Sequence, residues 1–342
     1  MTRIPRIRLR KPYLILLGDE HDPINAKTGF GIVHWRRADV AGQLRAPGAA
    51  VDLGVPDLGI DAAADDGVGS LVVGVAPVGG AVPAAWWDVM VDAARAGLDI
   101  VAGLHTKLND NPALVEVAGA HDVRLVDVRV PPRNLPVGTG KKRTGRRLLT
   151  VGTDCAIGKK YTALGIDSAF ADAGIDSTFR ATGQTGILIA GEGMPIDAVV
   201  ADFIAGAAEV LSPDNEPGHW DVIEGQGSLF HPAYSGVSLG LLHGSQPDAF
   251  VVCHDATREC LSDWEHFALP SITECIALHE RVARRTNPAA CCVGIAVNTS
   301  TLPVRKRSAY LEALAAEHGV PAVDPLIDGC SDIVAYVRKT FG

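Results

Sequence analysis

Gly152-Thr153-Asp154-Cys155-Ala156-Ile157-Gly158-Lys159 is the stretch of this sequence best suited to hold a phosphate. A glycine stands at each end, and the closing Gly-Lys pair opens a helical pattern. In a strand–loop–helix setting the loop N–H groups and the helix N-terminus converge on an anion, and the lysine adds a mobile cation. The spacing departs from the usual one. Five residues separate Gly152 from Gly158, so Thr153 takes the customary first-glycine position. Lys160 replaces the Ser or Thr that commonly follows the lysine, and the next hydroxyl in the helix is Thr162. Phosphate contacts are therefore expected from Gly152 to Lys160 and from Thr162. Magnesium coordination through the loop stays open.

Further groups could work beside this loop. The apolar run Asp221-Val222-Ile223 ends in Glu224, which could hold a metal or act as a base at the carboxyl edge of a parallel sheet. Gly225-Gln226-Gly227-Ser228 follows and allows close backbone approach, with Gln226 a donor to a carboxylate or carbonyl. Thr182-Gly183-Gln184-Thr185-Gly186 follows another strand, so Gln184 and Thr185 are candidate substrate contacts. Arg180 could grip a carboxylate in a bidentate fork. His231 and His243 are candidate general bases, since imidazole titrates near neutrality. Cys155 reads as a small buried filler or, at a helix N-terminus, a nucleophile. The eleven histidines and seven cysteines form neither an HExxH nor a CxxC pattern, so no metal site is expected from spacing. Lys141-Lys142-Arg143 with Arg146-Arg147 reads as a solvated linker, or as a contact for a phosphate such as the 3′-phosphate of coenzyme A. Gly29-Phe30-Gly31 lacks the full dinucleotide fingerprint, so NAD is not expected.

The elements that must position these groups alternate between strand and helix. Apolar β-rich runs at Tyr13–Leu17, Leu71–Val75, Ile100–Val101 and Val123–Val128 are separated by helical stretches such as Pro83–Ala96 and Pro112–His121. Arg147–Val151, Ser177–Ala181, Trp220–Glu224, Ala249–Cys253, Cys292–Val297 and Val320–Val323 form a second series. Tyr161–Ala173 and Ala198–Leu211 read as helices, and Asp202 and Glu209 mark the polar face of the latter. Such alternation predicts an α/β fold with parallel sheets covered by helices. The break Pro131-Pro132-Arg133-Asn134-Leu135-Pro136 suits neither helix nor central strand. It places the domain boundary between residues 1–136 and 137–342.

Composition bounds the function. Of 342 residues, 47% are hydrophobic, enough for two cores. A net charge of −9 argues against general nucleic-acid binding, which needs a basic face. No run approaches a membrane span, and the apolar run after the basic N-terminus is too short for a signal core. The odd cysteine count predicts reduced thiols in a cytoplasm. The sequence is compatible with a homo-oligomer without requiring one.

The Gly-Thr-Asp prefix and shifted spacing of the loop resemble those of dethiobiotin synthetase and its relatives, which use ATP to activate a carboxylate or carbamate. A fuller resemblance spans nearly the whole chain. Gly152–Leu164, Arg180–Gly186, Asp197–Glu209, Glu224–Leu229 and His231–Asp248 are similar to a two-domain family that includes D-glutamate N-acetyltransferase. Lys11–Gly31 and Gly103-Leu104-His105 resemble its first domain. The resemblance implies a Rossmann-like N-terminal domain and a P-loop NTPase-like C-terminal domain. It also implies acetyl transfer from acetyl-CoA to a D-amino acid, D-glutamate first, and it draws Asp202 toward a catalytic set with Glu224 and His231. The P-loop would then cradle the coenzyme phosphates. The competing expectation is an ATP- and magnesium-dependent ligase or kinase acting on a small carboxylate or amine.

Overall fold

The computed structural model describes residues 4–76 and 82–342. The chain forms two compact units. One comprises residues 5–130 together with 184–195, and the other is built chiefly from 131–183 and 196–342.

The first unit runs β1 (Tyr13–Gly18), α1 (Lys27–Trp35), β2 (Val40–Arg45), α2 (Ile60–Asp65), β3 (Ser70–Val73), α3 (Ala84–Arg95), β4 (Asp99–Ala102), α4 (Pro112–Ala120) and β5 (Leu125–Asp127). Its five strands are parallel in the order β2-β1-β3-β4-β5. Every residue of β1, β3 and β4 is buried, as strands covered by helices on both faces require. This is a doubly wound, Rossmann-like arrangement. The apolar pattern did not announce β2, because Gln43 interrupts it. Gln43 is only 1% exposed. Its Nε2 donates to Asp52 Oδ1 (2.9 Å) and to the Val55 carbonyl (3.0 Å), and its Oε1 accepts from Leu53 N (2.8 Å). A buried amide so satisfied is tolerated inside a sheet.

The second unit begins with β6 (Arg146–Gly152), α5 (Lys159–Asp172) and β7 (Ser177–Arg180). The chain then makes α6 (Gln184–Ala190), which belongs to the first unit. There Thr185 Oγ1 and Thr28 Oγ1 share a hydrogen bond of 2.9 Å, and Arg36 Nε donates to the Ile189 carbonyl at 2.9 Å. Gly186 to Ile189 are buried. Back in the second unit come α7 (Ile204–Leu211), β8 (Trp220–Ile223), α8 (Ser235–Ser245), β9 (Ala249–Asp255), β10 (Cys260–Leu261), β11 (Trp264–Ala268), α9 (Ile272–Ala283), β12 (Cys291–Asn298), α10 (Val304–His318), β13 (Ala322–Val323) and α11 (Ser331–Phe341). Six parallel strands lie in the order β13-β12-β9-β6-β8-β7, and β10 and β11 form a separate antiparallel hairpin. Central β6 is thus flanked by β8 and β9, so their carboxyl ends border the loop that leaves Gly152.

Two local expectations change. The helix expected over Ala198–Leu211 starts only at Ile204, after short 3₁₀ turns at Ile196–Ala198 and Ala201–Phe203. Val200 between them is extended (φ −58°, ψ 135°), which no helix accommodates. The basic stretch before β6 is exposed at Lys141 and Lys142 but anchored further on. Lys142 Nζ pairs with Asp248 (2.7 Å), and Arg143 Nη2 donates to the Gly244 (2.7 Å) and Ser245 (3.2 Å) carbonyls at the end of α8. Arg147 is 1% exposed and spends its guanidinium on Ser212 and on nearby carbonyls, including Pro213 at 2.9 Å. These residues strap the sheet's entry edge. No helix among the described residues is long and apolar enough to cross a membrane.

Candidate active site

The loop between β6 and α5 is built around its own polar atoms. Asp154 is fully buried. Its Oδ1 accepts from Cys155 N (2.6 Å), and its Oδ2 accepts from Arg258 Nη1 (2.7 Å) and Ser262 N (2.8 Å). Arg258 Nη1 also donates to the Cys155 carbonyl at 2.8 Å. The stretch from Arg258 through β10 and β11 therefore clamps the loop. Thr153 is buried and shares a hydrogen bond of 3.0 Å with His254 Nδ1 at the end of β9. Ala156 (φ 51°) and Gly158 (φ 102°) both adopt left-handed backbone. Glycine does so freely, whereas Ala156 carries strain of roughly 1–3 kcal/mol, the sort of local cost that accumulates at ligand-binding loops.

Lys159 opens α5 with its side chain buried, and its Nζ donates to the Asp154 carbonyl at 2.6 Å. Burial pulls the ammonium pKa below its ordinary value. A cation hydrogen-bonded to a main-chain oxygen can exchange that partner for a phosphate. Thr162, one turn further, is 2% exposed, and its Oγ1 accepts from the Cys253 thiol at 3.4 Å. This contact links α5 to β9. The Lys160 ammonium lies 4.8 Å from the Tyr161 ring centroid.

Glu224 leaves β8 beside this loop, 4% exposed. Its Oε2 accepts from Thr182 N (2.9 Å) and Gly183 N (3.0 Å), while its carbonyl accepts from Thr182 Oγ1 (2.7 Å). Burial raises its pKa. The two N–H bonds and the charge of Lys160 oppose that rise, and Asp197 adds to it. Gln226 Nε2 donates to Thr182 Oγ1 at 3.0 Å. Gly225 N donates to Thr150 Oγ1 at 2.9 Å, and a methyl group on Gly225 would run into the Thr150 carbonyl oxygen. Only glycine lets β8 pass so close to β6.

His231 is 1% exposed, sits on the turn after Ser228 and has ring contacts with Tyr234 (4.5 Å between centroids) and Trp264 (5.6 Å). Sequence spacing gave no sign of a metal group. Yet among the described residues Asp154, Cys155 and His231 bring one ligand-type atom each within 4.8 Å of one another. The donors already on both Asp154 oxygens compete with any cation there.

The remaining candidates lie elsewhere. Arg180 Nε is bound to Asp221 Oδ1 at 2.7 Å, and Asp221 in turn accepts from Ser212 Oγ. A substrate carboxylate would have to displace that buried pair. Asp202 is exposed on its 3₁₀ turn. Gln184 and Thr185 stand in the first unit, where Gly103 at the end of β4 leaves room for the Gln184 side chain. Sequence reasoning missed Arg258 and Ser262. Their Cys-Leu-Ser-Asp surroundings carry no motif, and only the fold returns them to Asp154.

Strand, glycine-bounded loop, Gly-Lys and helix at the centre of a parallel sheet define the second unit as a P-loop domain, joined to a Rossmann-like unit. The comparisons agree. Residues 136–334 match the DUF1611 P-loop domain and residues 44–131 its Rossmann-like N-terminal domain, each described as a domain of unknown function. The chain belongs to the DUF1611 family. It is 46% identical over 326 residues to a protein from Tritonibacter scottomollicae named D-glutamate N-acetyltransferase, covering 95% of this chain and 98% of the relative. A Pseudoalteromonas protein of the same name is 46% identical over 329 residues, covering 96% and 99%. The crystal structure of a family member from Anabaena variabilis superposes with a TM-score of 0.87 at 34% identity, covering 96% of this chain and 99% of that one.

Proposed function

We propose that the protein is an N-acetyltransferase that moves the acetyl group of acetyl-CoA onto the amine of D-glutamate. The observation that carries this reading is near-full-length identity of 46% to two proteins bearing that name. The site is compatible with it. Thr153 N and Cys155 N are bonded to the Cys253 carbonyl and to Asp154, which leaves the N–H groups of Ala156 to Lys159 and a buried ammonium for a pyrophosphate. The position after Lys159 is a lysine, so the loop lacks the hydroxyl that usually follows the lysine and holds a magnesium ion. An acetyl donor's pyrophosphate needs no such ion, whereas ATP-driven phosphoryl transfer normally does.

Glu224 is the proposed base. The amine must be neutral to attack, and Oε1 is the carboxylate oxygen not engaged by Thr182 or Gly183. A carboxylate whose pKa is raised by burial is a stronger acceptor for that proton than an exposed one. The new C–N bond forms as the C–S bond breaks, and the proton taken from nitrogen balances the departing thiolate.

The experiment is mass spectrometry of D-glutamate incubated with acetyl-CoA, with chelator and without ATP, against a parallel sample with ATP–magnesium. N-acetyl-D-glutamate in the first sample is expected. Product only with ATP, accompanied by ADP, would replace this reading with that of a ligase.

A further inference from the structure

A phosphate in the loop lacks the hydroxyl that usually faces it, and the fold supplies another donor. His231 is almost fully buried, and one of its ring nitrogens lies within 4.8 Å of Asp154 and Cys155 ligand atoms. Its place is fixed from two sides. Ser228 Oγ donates to the Gly152 (3.1 Å) and Thr153 (3.2 Å) carbonyls, and His231 N donates to the Ser228 carbonyl at 3.1 Å. Tyr234 and Trp264 hold the ring plane.

The hydrogen bonding also sets the tautomer. Nδ1 lies 3.2 Å from the backbone N–H of Ala233 and must accept from it. A neutral ring then carries its proton on Nε2. Among the described residues Nε2 has no hydrogen-bond partner. A general base or a metal ligand needs a free lone pair. In this ring the lone pair of Nδ1 is taken, and Nε2 holds a hydrogen. What the ring can offer is an N–H donor. Arg258 compensates the charge of neighbouring Asp154, which lowers the repulsion an incoming anion would meet.

We propose that His231 is an anion-binding residue whose Nε2–H donates to a phosphate oxygen held at Gly152–Lys159. This role rests on the proposed use of the loop as a coenzyme cradle. It removes His231 from the set of candidate bases and leaves that task to Glu224.

The test is calorimetric titration of coenzyme A and of inorganic pyrophosphate into wild type, H231A and H231Q, with donor KM and kcat measured on the same preparations. H231A is expected to weaken both ligands by roughly tenfold, the loss of one good hydrogen bond to a charged group. That loss should appear in the donor KM much more than in kcat. H231Q, which restores an N–H near the position of Nε2, should recover most of the affinity. Unchanged affinity in H231A, or a collapse of kcat with KM unmoved, would overturn the proposal. Should H231A fail to fold, ¹⁵N NMR of the wild-type ring decides. An Nε2–H ring that shifts on adding pyrophosphate supports the proposal, and a ring with its proton on Nδ1 alone overturns it. Wild type that binds coenzyme A, with H231A weaker, but acetylates nothing would refute the proposed reaction alone. Full acetylation with unaltered H231A affinity would refute only the role of His231.

Discussion

Replacing Arg258 with alanine should unfold the protein at markedly lower temperature and loosen the phosphate loop. Arg258 and Asp154 approach to 2.7 Å, with the carboxylate side chain 0% and the guanidinium 21% exposed. Breaking a buried ion pair by removing one partner typically costs about 3–5 kcal/mol, because the other charge is left uncompensated. Here Asp154 keeps its bonds from Cys155 N and Ser262 N, and the guanidinium is partly wetted. Both reduce the cost to about 2–3 kcal/mol. For a unit of about two hundred residues, each kcal/mol moves the midpoint by about 2–4 °C, so a fall of roughly 4–12 °C is expected. Differential scanning calorimetry measures it, and a double-mutant cycle isolates the pair. In an Asp154→Asn background, removing Arg258 should cost about 1.5 kcal/mol less than in wild type, or better. A midpoint within about 1 °C of wild type, or strict additivity in the cycle, would show that the clamp contributes nothing and that the loop holds its own shape.

Two other substitutions probe the site. Lys159→Ala should weaken coenzyme A binding by more than roughly tenfold in calorimetric titration. Without ligand its melting midpoint at neutral pH should not fall, because burial disfavours the ammonium it removes; undiminished affinity would refute the cradle. Glu224→Gln should abolish most turnover while changing the pH dependence of stability. The folded pKa of Glu224 is raised, so its favourable contribution is complete below the unfolded carboxylate pKa and is lost as pH rises through the folded value. The variant should therefore gain stability over wild type at pH 8 compared with pH 4 in denaturant titrations. A relative loss at pH 8 would mean that the two N–H bonds outweigh burial.

The alternation of apolar runs made both parallel sheets legible, since strands such as Ala249–Cys253 are buried on both faces and carry no polar interruption, and Leu148–Val151 carries only the buried hydroxyl of Thr150. The P-loop was legible because its chemistry is local: glycines, lysine and helix start are contiguous. What escaped depends on distant partners. Gln43 is a strand residue only because a loop satisfies its amide, and Arg258 matters only because the hairpin returns to Asp154. Arg180 looked like a free fork because its partner, Asp221, lies on the neighbouring strand. The tautomer of His231 follows from one backbone N–H two residues away, and composition says nothing about that.

The excursion of α6 has a consequence for how the protein is made. The Rossmann-like unit lacks a helix, with buried Thr185 and Ile187–Ile189, until residues 131–183 and then 184–195 have been synthesised. At roughly 5–20 residues per second, translation leaves that apolar seat bare for several seconds. Domains usually fold in order of emergence, but here the earlier one must wait for a helix that emerges only after part of the later one. A fragment ending near residue 130 would keep the vacancy permanently. Its natural complement would carry α6 with nothing to cover its apolar residues. Co-expressing the two halves should therefore yield a soluble pair when neither is soluble alone.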